Sequence, residues 1–224
     1  MKNAIARIAI ASSLLLARVA LAQSAAPPPP PPPDSAWVST GSFRPNQTLW
    51  GLNWEISKPV GDFDKYISNV SYRGISFEGR SFIRQNLSIG LSFSYNRFEQ
   101  TYDNTSYSIT NGTVTGPSYR YADMFAIRAL GHFYLAKGKL KPYVGAGIGG
   151  CWDYAYQQAA NLYSSQSNFD FIVDPEVGLL YVIASGGTTM ALNLAIRYTY
   201  TTAKTGQYND AQWMSGIVGL TWGY

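Results

Sequence analysis

Two side chains in the sequence are of types that enzymes use as bases or nucleophiles. His132 is the only histidine and Cys151 the only cysteine among 224 residues. Histidine-dependent hydrolysis would need a nucleophile or an activated water, and an orienting acid, within hydrogen-bond reach. No serine lies near His132 on the same face of its alternating segment, so we expect this histidine to form hydrogen bonds in the interior of the fold. A lone cysteine in a strand-like segment is usually a small packed side chain. We therefore predict a protein without enzymatic activity, metal site or cofactor.

Gly145, Gly147 and Gly149 have a spacing that resembles a phosphate-binding loop. Such a loop is followed by lysine with serine or threonine and by the start of a helix, and neither follows here. Inward-facing glycines in a strand relieve crowding inside a narrow barrel. We expect that structural role for these three residues.

The remaining candidate chemistry rests on seven charged residues on the polar side of alternating segments. Opposite charges enclosed together are expected to pair, because an unpaired charge away from water is costly. The same side chains could instead line a narrow or gated ion path. The sequence leaves both interpretations open and does not show which acid meets which base. The seven residues are Glu55, Glu78, Arg80, Arg128, Asp174, Glu176 and Arg197.

Eight segments that alternate between apolar and polar residues must position these charges. Alternation with period two is typical of strands whose two faces meet different surroundings. Leu87, Ile89, Leu91 and Phe93, separated by serines and a glycine, form the clearest example. The predicted strands are 50–57, 74–83, 87–96, 125–133, 143–153, 169–181, 189–200 and 214–224.

Composition indicates which face of these strands meets lipid. Charged residues make up 13% of the chain, about half the usual quarter of a soluble domain, while aromatic residues reach 15%. A soluble barrel turns its apolar face inward and covers the outside with charge, so the apolar faces here are better matched to lipid. Aromatic residues towards strand ends are expected to form interfacial girdles. They are Trp54, Tyr95, Trp152, Tyr154, Tyr181, Tyr198, Tyr200, Trp222 and Tyr224.

The connections alternate between short and long. Short gaps lie around 84–86, 136–141 and 184–188, and long gaps lie around 59–72, 101–119, 155–168 and 202–212. Transmembrane barrels show this asymmetry, with tight periplasmic turns and longer extracellular loops. The sequence therefore predicts an all-β fold, an eight-stranded antiparallel up-and-down transmembrane barrel. Eight strands enclose an interior that side chains just fill.

The N-terminal residues predict export. Residues 1–22 carry Lys2 and Arg7, then an apolar run, then a small-x-small site at Ala20-Leu21-Ala22, as in a secretory signal peptide. Without Lys2, Arg7 and Arg18, 14 basic residues remain against 13 acidic residues, so the formal net charge falls from +4 to +1. A nucleic-acid partner is therefore not expected.

A run of seven prolines follows the predicted signal peptide. Prolines 27–33 favour a stiff polyproline II segment, about 3.1 Å per residue. We assign residues 23–48 to a periplasmic tether and lead-in and residues 49–224 to the barrel. Docking of a proline-recognising partner on this run is the alternative.

Two strand segments carry a family resemblance. Residues 141–149 (KPYVGAGIG) and 175–178 (PEVG) resemble the fifth and sixth strands of small eight-stranded outer-membrane barrels. That family groups the transmembrane domain of outer membrane protein A, its X and W relatives and the opacity-like surface proteins. The resemblance covers roughly residues 49–224. The C-terminal alternation is similar to the signal read by the barrel-assembly machinery and ends in tyrosine where phenylalanine is commoner. It would be carried by Val218, Leu220, Trp222 and Tyr224.

The resemblance implies a monomer in the outer membrane of a Gram-negative bacterium, surrounded by outer-membrane lipid. It also implies a role in envelope structure or in surface interaction through four extracellular loops, which could contact a host or surface ligand. The alternative is a small pore or transporter for ions or small apolar solutes. The preferred contact residues in the second loop are Tyr102, Asn104, Tyr107 and Tyr119.

Overall fold

The computed structural model shows the described residues as one closed β-barrel. Eight antiparallel strands follow one another around the barrel, and the last strand closes it by pairing with the first. This arrangement confirms the predicted eight-stranded up-and-down fold. The structure describes residues 43–110, 112–159, 162–185, 188–202 and 208–223.

The strands and one short helix in the first extracellular connection have the following bounds. They are β1 (Thr48–Val60), α1 (Asp62–Tyr66), β2 (Ser71–Arg84), β3 (Leu87–Ile109), β4 (Gly112–Tyr134), β5 (Leu140–Ala159), β6 (Leu162–Ala184), β7 (Thr189–Thr201) and β8 (Ala211–Gly223). Among the described residues, no helix is long and apolar enough to cross a membrane. The predicted signal peptide, the prolines 27–33 and Tyr224 lie outside the described residues, and those predictions stay untested.

The outer wall is apolar and the lumen is polar, as the alternation predicted. On β1, Leu52 and Trp54 are 48% and 49% exposed, whereas Asn53 and Glu55 between and beside them are buried. Exposed apolar side chains on the outside of a barrel match the hydrocarbon of a membrane. Closure between β1 and β8 also leaves no unpaired strand edge in the lipid.

Two of the predicted long loops are strands, and the prediction of loops at 101–119 and 155–168 is wrong. β3 and β4 have 23 residues each and pair from Leu87↔Phe133 up to Ile109↔Gly112. β5 and β6 stay paired up to Ala159↔Leu162. These segments are rich in tyrosine, threonine and serine, and the first two favour strands. Both faces are polar there, so the apolar alternation disappears while the pairing continues.

Candidate functional site

The lumen is the candidate site because all seven predicted charged residues point into it and are buried. A polar layer occupies the middle of the barrel. An apolar cluster lies above it at the extracellular end and another lies below it at the periplasmic end. The inward side of the alternating strands supplies most of this filling, which is the expected content of an eight-stranded barrel.

Arg197 bridges two carboxylates at the centre of the polar layer. Its Nε and Nη2 lie 2.7 and 2.6 Å from Oε2 of Glu176, and its Nη1 lies 3.0 Å from Oε1 of Glu55. Glu55 also accepts a hydrogen bond from Asn96, at 3.1 Å from Nδ2 to Oε2. These contacts join β1, β3, β6 and β7 across the lumen through charge-assisted hydrogen bonds.

Arg80 forms the second part of the polar layer, nearer the periplasm. Its Nη2 lies 2.6 Å from Oε1 of Glu78 and 3.9 Å from Oε1 of Glu176. Its guanidinium carbon stands 5.0 Å from the ring centre of Tyr143. The Tyr143 hydroxyl donates to Oε1 of Glu176 at 2.7 Å. Glu176 therefore connects the Arg80 and Arg197 groups.

Arg128 pairs with Asp174 and completes the network. Its Nε contacts Oδ2 of Asp174, and its Nη1 donates to Oγ of Ser94 at 2.7 Å. His132 lies at the edge of the same layer, with Nε2 3.6 Å from Oε1 of Glu176. Each predicted arginine thus has a carboxylate neighbour, and the structure supplies the pairing that the sequence left open.

His132 has a carboxylate beside it but no hydroxyl or thiol bonded to it among the described residues. Nε2 faces the Glu176 carboxylate, and within the described part of the chain no serine, threonine or cysteine is hydrogen-bonded to either ring nitrogen as a nucleophile would be. Cys151 is buried and free on the inner wall. The described residues contain no group of histidine, cysteine, aspartate and glutamate side chains that could hold a metal ion.

The extracellular apolar cluster is a plug that the sequence analysis missed. The connection containing α1 folds into the barrel mouth and buries Phe63 and Ile67. The Phe63 ring lies 5.1 Å from Phe98 and 5.0 Å from Tyr208, and Phe98 lies 5.7 Å from Trp213. Phe98 and Trp213 are at inward-facing positions of their strands, so the alternation could have predicted that they fill the lumen. Phe63 lies in a connection that has no alternating pattern, so the sequence does not indicate its burial.

The fourth extracellular connection is also tied to the barrel interior. The Tyr208 hydroxyl donates to Oδ2 of Asp153 at 2.5 Å. Burial and the neighbouring Asp153 carboxylate raise the pKa of Tyr208 well above its usual range, so this hydroxyl keeps its proton. The Tyr66 hydroxyl donates to the main-chain oxygen of Tyr156 at 2.8 Å, which fixes the first connection to β5.

We expect the substitution Phe63→Ala to loosen the plug without unfolding the barrel. Removing a buried phenylalanine ring costs about 3–5 kcal/mol, and the loss falls on α1 rather than on strand pairing. Trypsin cleavage after the exposed Lys65 should therefore speed up at least about tenfold, since an opening equilibrium changes tenfold per 1.4 kcal/mol. Val70→Ala, at an exposed position of the same connection, is the control. Equal cleavage rates in the wild type and Phe63→Ala would contradict the plug.

The periplasmic end is closed by a second aromatic group. Phe43 is buried from a position before β1, with its ring 4.2 Å from Phe82 and 5.7 Å from Tyr134. Nζ of Lys141 lies 4.5 Å from the centre of the Phe43 ring. Phe43 belongs to the predicted lead-in 23–48, and no alternation pointed to it.

The predicted contact residues lie on strands of the extracellular hairpin rather than on a loop. The ring of Tyr102, on β3, lies 5.1 Å from the guanidinium carbon of Arg120, and the Tyr119 hydroxyl on β4 lies 3.4 Å from Oε2 of Glu99. Asn104 and Tyr107 are on β3, and their side chains are outside the described part of the structure. Of the residues predicted to form the C-terminal assembly signal, Val218 and Leu220 are exposed on the outer face of β8, and Trp222 is on the same face.

Comparison with known families decides the class of barrel. The model of the outer membrane protein beta-barrel domain matches residues 13–222. The chain is a member of this outer membrane protein β-barrel family. Membership places the barrel in the outer membrane of a Gram-negative bacterium and agrees with its apolar outer wall. No curated protein matches the sequence.

Solved structures resemble this outer membrane barrel in fold. Neisserial surface protein A has 14% sequence identity and a TM-score of 0.51, with 78% of this chain and 95% of that protein covered. The attachment invasion locus protein of Yersinia pestis has 11% identity and a TM-score of 0.49, covering 79% and 99%. OprG from Pseudomonas aeruginosa has 11% identity and a TM-score of 0.46, covering 83% and 99%. The first of these similarities shows the shared barrel fold.

Proposed function

We propose that this barrel is a non-enzymatic surface protein that uses its extracellular strands for contact and conducts nothing through its lumen. The observation that carries the proposal is a sheet, formed by β3, β4, β5 and β6, that continues beyond the apolar belt. The closed lumen supports the second half of the proposal. Buried apolar clusters stand above and below a paired charge layer, which disfavours the alternative of a small pore or transporter.

The outer boundary of the apolar belt shows how far the sheet projects. The outward rows of apolar and aromatic residues on β3 and β4 are interrupted after Tyr95 and Phe125 by Arg97 and Asp123, with Nη1 of Arg97 3.6 Å from Oδ2 of Asp123. Beyond them, Tyr121 and Tyr119 continue the outward face of β4. Residues 98–109 of β3 continue roughly 40 Å along the strand at about 3.3 Å per residue. Strand extensions of this kind hold a contact surface clear of the membrane.

The β3 side of this sheet is an open edge. Pairing between β2 and β3 ends at Gly74↔Asn96, and the Asn69 side chain caps the main-chain oxygen of Glu99. Beyond that point no strand among the described residues pairs with this side of β3. Residues 101–109 contain no lysine or proline, and their edge protections are limited to Asp103 and to the register shift between Tyr102 and Thr105. An extended polypeptide segment of a partner could therefore add to β3 as a further strand.

Proline at the open edge gives a sharp test. Main-chain oxygens of Arg97 and Glu99 face β2, so the main-chain groups of Thr101 continue on the edge side. Thr101→Pro removes an edge N–H and leaves the pairing with β4 intact, whereas Thr101→Ala keeps the N–H. Adhesion to plastic coated with basement-membrane matrix should rise when cells display the protein. It should fall to background with Thr101→Pro and persist with Thr101→Ala. Equal adhesion of all strains, including cells without the protein, would contradict the proposal.

We further propose that the barrel-assembly machinery reads the outward residues Val218, Leu220 and Trp222 of β8. They form a regular apolar row at the end of the described chain, beside β1 at the closing seam. Surrounding outer-membrane lipid and a monomeric state complete the proposal. Both are consistent with a fully closed barrel whose outer wall needs no protein neighbour.

A further inference from the structure

Charge is distributed unequally between the two ends of the barrel. Three basic side chains are exposed at the periplasmic rim: Arg84 at the end of β2, and Lys137 and Lys139 in the turn between β4 and β5. The described part of that rim contains no acidic side chain, and none of these three cations has an acidic partner there. Acidic side chains outside the lumen lie at the extracellular end of the described structure, for example Asp62 and Asp64 on α1. The described part of the periplasmic rim therefore carries basic side chains and no acidic ones.

The outer wall above this rim contains an apolar groove of about 750 Å³. Its floor includes Gly79 and Ala129, and its walls include Trp50, Phe77 and Ile89. The Trp50 ring is stacked on Phe77 at 5.6 Å and lies across Gly79, where an added Cβ would stand 2.7 Å from it. The small floor residues thus create a depression between larger apolar side chains.

The groove lies directly above the part of the basic rim that contains Arg84. The lower end of the groove is lined by Thr48 and Ser81, near the periplasmic ends of β1 and β2. Arg84 follows on β2 at about 10 Å from Ser81, at about 3.3 Å per residue. The main-chain N–H of Tyr134 donates to the oxygen of Asn86 at 2.9 Å, which joins this turn to the end of β4, just before the turn that carries the two lysines. Lys139 is at the far end of that turn, where its main-chain oxygen accepts a hydrogen bond from the N–H of Val182 on β6 at 2.8 Å. Arg44, in the segment before β1, is a further cation at this end of the barrel.

We propose that this groove and rim bind an anionic phospholipid of the periplasmic leaflet. The phosphate lies at Arg84, the lysines of the next turn, Lys137 and Lys139, add to the positive charge of the same rim, and one acyl chain lies in the groove between Trp50 and Ile89. Exposed cations near a membrane surface favour anionic headgroups. The apolar groove favours a lipid over a soluble anion, because only a lipid covers both surfaces at once. A second copy of the chain fits poorly, since a symmetric contact through this wall would bring two basic rims together.

Lipid retention by the purified full-length protein tests this site. The barrel is placed in nanodiscs with equal amounts of phosphatidylglycerol and phosphatidylcholine, released, and analysed by native mass spectrometry. We expect about tenfold preferential retention of phosphatidylglycerol, which corresponds to about 1.4 kcal/mol. The combined substitutions Arg84→Gln, Lys137→Gln and Lys139→Gln should abolish the preference. The matched control, Lys58→Gln, Lys65→Gln and Arg73→Gln, removes equal charge from the opposite end and should keep it.

The groove half of the site has its own variant. Ala129→Phe fills the floor and should lower retention of phosphatidylglycerol several-fold while the heat-dependent migration of the barrel is unchanged. Equal retention of the two lipids by the wild type would overturn the proposal, as would equal losses in the rim variant and its control. Full competition by glycerophosphoglycerol, which has the headgroup without chains, would show a soluble-anion site and would also overturn it. Rim-dependent sedimentation with peptidoglycan and no lipid preference would assign the rim to the cell wall instead.

Discussion

Arg197→Met is expected to destabilise the barrel by about 3–5 kcal/mol. Arg197 is buried and donates hydrogen bonds to both Glu176 and Glu55. Its removal therefore leaves two buried carboxylates without the cation that they share. Uncompensated charge in a low-dielectric interior is the most damaging outcome of breaking a buried pair. The methionine side chain keeps most of the volume, so packing contributes little. The urea midpoint of the refolded protein, read from heat-dependent migration, measures the change.

Two further variants separate charge from packing. Adding Glu55→Gln and Glu176→Gln to Arg197→Met removes the unpaired carboxylates and should recover at least half of the lost stability. Arg73→Met breaks an exposed ion pair with Glu99 at the barrel surface, and solvent-exposed pairs contribute little, so its midpoint should stay near that of the wild type. An Arg197→Met midpoint equal to that of Arg73→Met would show that the buried network does not hold the barrel together.

Gly149→Ala is expected to have the second large effect, a loss of about 3 kcal/mol or failure to form the barrel. Gly149 is on the inward phase of β5 opposite Arg128, and an added Cβ would stand 1.9 Å from the main-chain oxygen of Ile127. A main-chain atom cannot rotate away as a side chain can, so β4 and β5 would have to separate. Folding yield and the urea midpoint both report this change.

Gly131→Ala is the matched control for the inward glycine. Gly131 is on the outward phase of the neighbouring strand β4, and an added Cβ there would meet no atom within 4 Å. We expect the same chemical change to alter stability there by no more than about 0.5 kcal/mol. Alanine is favoured over glycine within a strand, so comparable losses at the two positions would contradict crowding in the lumen as the cause.

The sequence was sufficient to predict the barrel and the side of each strand. Period two alone places Glu55 inward and Trp54 outward, and the structure agrees. It could not predict that Arg197 meets both Glu55 and Glu176, because those contacts cross the lumen between strands far apart in sequence. Strand tilt and stagger set such contacts, and no single segment encodes them.

The parts that the sequence analysis missed share a physical cause. Phe63 and Phe43 reach the lumen from segments outside the alternating strands, so no periodic signal marks them. Beyond Phe98 and Ala122, the extracellular extensions of β3 and β4 lack a buried apolar face, so their pairing leaves no hydrophobic pattern. Trp213 is different, because its inward phase on β8 could have identified it as part of the filling.

A closed lumen is the central claim, and single-channel recording in planar lipid bilayers tests it most directly. The two aromatic ends and the paired layer of Arg128, Asp174 and Arg197 predict a silent baseline for the folded wild type at either polarity. Protein incorporation is checked by heat-dependent migration of the recovered sample. Reproducible unit steps in the wild type that change in size with Arg128→Ala or Glu176→Ala would show an ion path through the lumen and contradict the account.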